Sequence, residues 1–159
     1  MFKSFLFLST IIASISAHGH VSFEVPSAAA GSYYKAVARV PHGCEGSPTT
    51  AVHISIPKGF VTPKPMPKPG WNVETVQNDL GQIEEIRFSG GRLADAHYDE
   101  FVFRGKIMAA AGSTLYFKVL QTCESGQINW ADVPVPGQDE HSLLAPAPSL
   151  KITPATGAH

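Results

Sequence analysis

The chain has 159 residues and a formal net charge of −1, with 43% hydrophobic and only 16% charged residues. The near-neutral charge excludes the basic surface of a nucleic-acid-binding protein, and the hydrophobic fraction excludes a disordered chain. Its length supports one globular domain, and the regular spacing of its 14 glycines and 13 prolines argues against a helical bundle.

The first segment, residues 1–19, is predicted to be a cleaved secretory signal peptide. Lys3 supplies its positive charge, and Phe5–Ala13 supplies an apolar run that is too short to span a bilayer. No second apolar segment of about 20 residues follows, so we expect an exported protein without a membrane anchor. The loss of Lys3 makes the mature chain one charge unit more negative.

Two cleavage sites fit the end of this segment. A cut after Gly19 places small residues, Ala17 and Gly19, at the positions that signal peptidase reads, and makes His20 the mature N-terminus. A cut after Ala17 makes it His18. We favour the first site, and in both cases the exported protein begins with histidine.

Beyond the signal, apolar and polar side chains alternate with the period of two that is typical of half-buried strands. Strands are predicted at His20–Val25, Tyr33–Val40, Val52–Ile56, around Val73, and at Ile83–Phe88, Tyr98–Phe103, Leu115–Leu120, Ile128–Val133 and Leu150–Thr153. Turns are predicted at Gly70, Gly81, Gly90–Gly91, Gly112, Gly126 and Gly137. About eight to ten short strands indicate a single all-β domain, a Greek-key β-sandwich of the immunoglobulin or cupredoxin kind. We expect it to span residues 20–154, with 155–159 as a loose tail.

The segment Pro57–Trp71 is rich in proline, with a proline at every second position from Pro63 to Pro69. Because proline lacks an N–H, this spacing forbids regular ladder pairing and favours an extended edge. The segment is interpreted as a stiff edge that limits aggregation, and the alternative is a ligand for an aromatic groove on a partner.

Cys44 and Cys123 are the only two cysteines. Export to an oxidising compartment predicts a disulfide between them. Closing a loop of roughly 80 residues stabilises the fold by about 4 kcal/mol in the chain-entropy model. The alternatives are a metal pair or a redox couple, although neither cysteine lies in a C-x-x-C motif.

The histidine at the mature N-terminus is the strongest chemical feature. After cleavage, His20 offers its α-amine and its imidazole Nδ1, which together chelate one metal ion. Both nitrogens lose their protons near neutral pH, and nitrogen donors in tetragonal geometry suit Cu(II). The alternative is that cleavage merely leaves a histidine on a frayed terminus. The seven histidines form no H-E-x-x-H motif, and no nucleophile elbow or phosphate loop is present.

A second copper hypothesis applies if cleavage occurs after Ala17. His18-Gly19-His20 then places a histidine third from the terminus. Its imidazole, two backbone nitrogens and the amine form a square-planar site for Cu(II) or Ni(II) that needs no folded domain.

Several blocks of the chain together resemble the YcnI family of exported copper-binding domains. The blocks are His20–Glu24, Ala30–Tyr33, Arg39–Cys44, Gly46–Thr50, Pro67–Trp71, Ser89–Gly91, Tyr98–Phe101 and Gln121–Glu124. The resemblance covers about residues 20–150 and implies a periplasmic β-sandwich that binds Cu(II) through a monohistidine brace. It implies that His20 is the brace, that Asp95 supplies a carboxylate ligand, and that Trp130 lies beside the metal.

Two departures from the family qualify this resemblance. The relative that aligns best has Glu where Asp95 stands, so the shorter side chain must approach the metal more closely. Many members carry a C-terminal membrane span that this chain lacks, which implies a free periplasmic form. Taken without the resemblance, Asp95 is typical of a turn cap and Trp130 of core packing.

His97 is either a fourth ligand or a solvated loop residue, and Glu24 is a reserve carboxylate. His42 and His53 are interpreted as structural.

The function that these features favour is a periplasmic Cu(II)-binding protein for copper storage, homeostasis or delivery to another periplasmic copper protein, without catalytic turnover. One alternative is a copper oxidase that resembles polysaccharide monooxygenases. Such an enzyme needs a second histidine, and His97 is the candidate that the sequence offers. The other alternative is a metal-free interaction domain that docks a partner through its edge at Pro63–Pro69.

Overall fold

The computed structural model describes residues 19–155. The predicted signal peptide up to residue 18, including His18, and the predicted tail from residue 156 onward lie outside the described residues. The strands are β1 (Ser22–Phe23), β2 (Ser27–Ala29), β3 (Tyr33–Val40), β4 (Thr49–Ser55), β5 (Phe60–Pro65), β6 (Asn72–Gln77), β7 (Ile83–Leu93), β8 (Asp99–Ile107), β9 (Thr114–Tyr116), β10 (Val119–Cys123), β11 (Gln127–Trp130) and β12 (Ser149–Thr153), with a short 3₁₀ turn at Glu140–Ser142.

These strands form two main sheets with their apolar faces in one core. One sheet has the order β1-β3-β8-β5, and the other has the order β11-β10-β4-β7-β6. A small third sheet, β2-β12-β9, adds Leu115, Leu150 and Ile152 to the same core cluster. The predicted all-β sandwich is therefore confirmed, and the third sheet is an addition that the alternation pattern did not predict.

Aromatic side chains fill the space between the sheets. Phe88 on β7 and Phe101 on β8 are fully buried, with ring centroids 5.2 Å apart. Trp71 lies edge-on to Phe101 at 5.0 Å. Full burial of a phenylalanine side chain contributes about 1.5–3 kcal/mol, so this contact joins the two sheets firmly.

Strand prediction succeeded where alternation is regular and failed where a distant side chain intervenes. Tyr33–Val40 is β3, as predicted. The predicted turn at Gly90–Gly91 is wrong, because both glycines lie inside β7. A Cβ on Gly91 would lie 2.1 Å from the Trp71 ring, so glycine at this position allows the tryptophan to pack on the strand.

The proline-rich segment contributes β5, an edge strand that pairs antiparallel with β8. The register is irregular between Val61 and Lys64, and Thr62 within this bulge has φ 50°. Irregular pairing at an edge is what the missing N–H groups of the prolines predict.

The predicted disulfide is confirmed. Cys44 and Cys123 are bonded, with Cα atoms 6.0 Å apart and a sequence separation of 79. The bridge ties the loop after β3 to the end of β10. In the part of the chain that the structure describes, no helix has the length and apolar character needed to cross a membrane.

Candidate metal centre

Three chain segments meet at one end of the sandwich, around the end of β11. They are the N-terminal segment before β1, the loop between β3 and β4, and the loop between β7 and β8. They contain His20, His42 and Asp95 respectively, each of which has ligand chemistry.

Trp130 ends β11 and faces both the core and this end of the sandwich. It is 3% exposed, and its indole N–H donates to the side-chain carbonyl of Gln121 at 2.9 Å. Gln121 is fully buried, and its amide donates to the carbonyl of His42 at 2.7 Å and to the Thr49 hydroxyl at 2.8 Å. Gln121 thus positions the tryptophan and the loop of His42 together.

His20 directly precedes the buried Val21, which anchors the start of β1 in the core. The His20 side chain is half-buried, and its ring centroid lies 5.8 Å from the Trp130 ring at an interplanar angle of 57°. Core packing of Trp130 and its proximity to the predicted brace residue are therefore compatible.

His42, in the loop between β3 and β4, lies near the same tryptophan, with ring centroids 6.3 Å apart. Its Nδ1 contacts the carbonyl oxygen of Gly43 at 2.6 Å, and its Nε2 lies 2.8 Å from the carbonyl oxygen of Gly19. The ring thus bridges the β3–β4 loop and the residue that precedes His20.

Asp95 lies in the turn between β7 and β8, which the bond from His97 N–H to the Ala94 carbonyl closes. Its Oδ1 accepts a hydrogen bond from the backbone N–H of Gly43 at 2.9 Å, so it reaches across to the loop of His42. Gly43 is buried there, and a Cβ would lie 2.0 Å from the Ser47 carbonyl oxygen. This position therefore requires glycine.

The reserve candidates lie elsewhere. His97 is exposed and lies in the same turn as Asp95, and Glu24 forms a surface ion pair with Arg39 at 2.7 Å. His53 lies on β4, in register with Arg87 of β7 and Leu120 of β10.

The chemistry of this neighbourhood combines imidazoles, one carboxylate and an indole wall. Within residues 19–155, no three His, Cys, Asp or Glu side chains form a group that holds a metal ion. A histidine brace needs fewer side chains, because the α-amine of the same residue is its second nitrogen. In the uncleaved chain that nitrogen is an amide, which is a poor metal ligand at neutral pH.

The sequence did not predict that Gln121 and His42 lie in this neighbourhood. Gln121 occupies an inward position of β10 between Val119 and Cys123, where alternation predicts an apolar residue. This polar residue at an inward position is the signal in the sequence that could have identified Gln121. His42 was interpreted as structural, and its contact with Gly19, 23 positions away, had no local signal.

Comparison with known proteins gives a family and a fold. The profile of a family described as a domain of unknown function, DUF1775, matches residues 20–152. A crystal structure of a protein from Nocardia farcinica, described as uncharacterized and as having an immunoglobulin-like fold, is similar with a TM-score of 0.72 and 25% identity. That similarity covers 84% of this chain and 98% of the other. No curated protein matches the chain in sequence.

Proposed function

Given that the chain belongs to the DUF1775 family, which contains the YcnI-like proteins, we propose that it is an exported Cu(II)-binding protein. The mature N-terminal histidine, His20, is its brace, and Asp95 is its carboxylate ligand. The protein works in the periplasm and stores copper or delivers it to a partner, without catalytic turnover.

One observation carries this proposal. The ring of His20 lies beside the buried Trp130, at the end of the sandwich where the loop of Asp95 contacts the loop after β3. The amine and Nδ1 of a terminal histidine form a chelate ring, and a nearby carboxylate neutralises part of the charge of Cu(II). A largely buried indole on one side excludes water from that part of the metal's surroundings.

The N-terminus supplies the first test. Protein that begins at His20 is compared in a Cu(II) titration with the same protein carrying one extra residue before His20. Competition with a chelator of known affinity measures the Kd of each. We expect tight binding only when His20 is first, because an extra residue converts its amine into an amide. Equally tight binding by both proteins contradicts the brace.

Mass spectrometry of the exported protein decides between the two cleavage sites. A chain that begins at His20 supports the brace. A chain that begins at His18 favours the square-planar site of His18-Gly19-His20 instead, and Cu(II) binding by a synthetic peptide of the first few residues then matches that of the whole protein.

Substitutions of Asp95 test the carboxylate. Asp95→Asn keeps an oxygen that accepts the hydrogen bond from Gly43 but removes the charge, whereas Asp95→Ala removes both. If Asp95 is a ligand, both variants change the Cu(II) EPR spectrum. If it only holds the Gly43 loop, Asp95→Asn leaves the spectrum unchanged. Asp79→Asn, in an exposed turn, is the matched control.

The absence of turnover is tested with the copper-loaded protein. We expect no more hydrogen peroxide from ascorbate and oxygen than the same protein produces without copper, and no oxidative cleavage of polysaccharides. Peroxide production well above this background favours a copper oxidase.

A further inference from the structure

The ring of His42 lies against the peptide bond that signal cleavage breaks. Its Nε2 is 2.8 Å from the carbonyl oxygen of Gly19, and that carbonyl carbon is bonded to the nitrogen of His20. In an amide, the oxygen and nitrogen are about 2.2 Å apart. Nε2 of His42 therefore lies at most about 5 Å from the nitrogen that becomes the α-amine.

Cleavage after Gly19 changes what lies between these two nitrogens. The carbonyl group leaves with the signal peptide, and the His20 nitrogen becomes an amine with a lone pair. Metal–nitrogen bonds are about 2 Å long, so one ion joins two nitrogens that are up to about 4 Å apart. A copper ion thus takes the place of the departed carbonyl with a movement of about 1 Å or less.

The other ring nitrogen of His42 is already held in the way that metal-binding histidines require. A carbonyl oxygen only accepts hydrogen bonds, so Nδ1, 2.6 Å from the Gly43 oxygen, carries a proton. Nε2 faces the carbonyl oxygen of Gly19 in the same way until that carbonyl leaves with the signal peptide. In the neutral ring that keeps its proton on Nδ1, the lone pair is on Nε2, and this nitrogen then faces the space that the carbonyl has left. Gly43 is held in turn by its bond to Asp95.

His53 and His97 do not share this arrangement. His97 is exposed in the same turn as Asp95, and His53 lies on β4 between Arg87 and Leu120 in register. His42 also lies 6.3 Å from the same Trp130 ring that contacts His20, so the two imidazoles flank one indole.

We propose that Nε2 of His42 is a ligand of the copper ion held by His20, so that the centre contains two imidazoles. This inference rests on the proposed function. It assigns to His42 the place of second histidine that the sequence offered only to His97.

Pulsed EPR of the mature wild-type protein with one equivalent of Cu(II) tests this directly, because it counts the imidazoles that bind the ion. We expect two imidazoles. A count of one overturns the inference and leaves the proposed function standing. Failure of the wild-type protein to bind Cu(II), or equal binding with an extra residue before His20, overturns the proposed function itself.

Variants identify the second imidazole. His42→Ala should reduce the count to one and weaken Cu(II) binding by more than the roughly 10- to 100-fold caused by losing an outer hydrogen-bonding partner. His53→Ala and His97→Ala should both leave the count at two. A count that stays at two in His42→Ala, or falls to one in His97→Ala, overturns the assignment. Should His42→Ala fail to fold, the imidazole count in the wild-type protein, compared with the counts in His53→Ala and His97→Ala, still decides.

Discussion

Replacement of Gln121 with leucine tests whether this residue organises the candidate metal centre. The side chain is fully buried and makes three hydrogen bonds, with the Trp130 indole, the His42 carbonyl and the Thr49 hydroxyl. Leucine has a similar size but makes none of them. The cost is therefore that of the stranded polar partners rather than of a cavity.

The three partners contribute unequally. Trp130 is 3% exposed, so its unpaired N–H costs about 1–3 kcal/mol. The Thr49 hydroxyl keeps a contact with Cys123 Sγ at 3.8 Å, and the half-buried His42 loop lets its carbonyl reach water, so these two add about 0.5–1 kcal/mol each. We expect Gln121→Leu to lower the free energy of unfolding by about 2–5 kcal/mol.

Urea denaturation, followed by tryptophan fluorescence and far-ultraviolet circular dichroism, measures this loss. Gln127→Leu, at an exposed position of β11, is the control and should stay within about 0.5 kcal/mol of the wild type. In a Trp130→Phe background the indole N–H is already absent, so Gln121→Leu should cost less there. A loss below about 0.5 kcal/mol, or the same loss in both backgrounds, refutes the reasoning.

Three further perturbations test the surrounding structure. Joint replacement of Cys44 and Cys123 with alanine should lower the unfolding free energy by about 4 kcal/mol in urea, and a loss below about 1 kcal/mol contradicts the loop-closure argument. Gly43→Ala should destabilise the protein more than Gly46→Ala, whose Cβ meets nothing within 4 Å and which carries only the strain of φ 86°; the reverse order in thermal unfolding contradicts the close approach of Ser47. Burial, with a smaller effect from the charge of Glu24, raises the pKa of Tyr34 from 10.0 to about 12. Because the unfolded chain ionises first, stability should fall as the pH rises from about 10 to about 12, and less steeply in Tyr34→Phe; parallel urea midpoints of the two proteins across this range contradict it.

The sequence predicted those features that depend on local pattern or on chemistry alone. Alternation located β3, and the presence of two cysteines in a chain predicted to be exported predicted the disulfide. Gly91 was wrongly predicted to lie in a turn. Glycine is needed there because the Trp71 ring packs on the strand at this position, and that contact forms only when β6 pairs with β7.

The candidate site shows the same division. His20 was predicted as a ligand because its chemistry comes from one residue and its terminus. The role of Gln121 depends on which face of β10 turns inward, and the position of His42 depends on the meeting of two distant segments. Period and spacing carry no information about either, since only the packed sheets bring these partners together.

The position of Gly19 bears on the order of events during biogenesis. It packs against Pro41, where even an added Cβ would lie 3.1 Å from that ring, and its carbonyl faces His42. The scissile bond therefore lies against the domain once β1 has docked, and peptidases require an extended, accessible chain. With processing after Gly19, cleavage precedes docking of the first strand. Under the proposed function, the chelating amine then forms only after export, so the precursor inside the cell lacks the copper site.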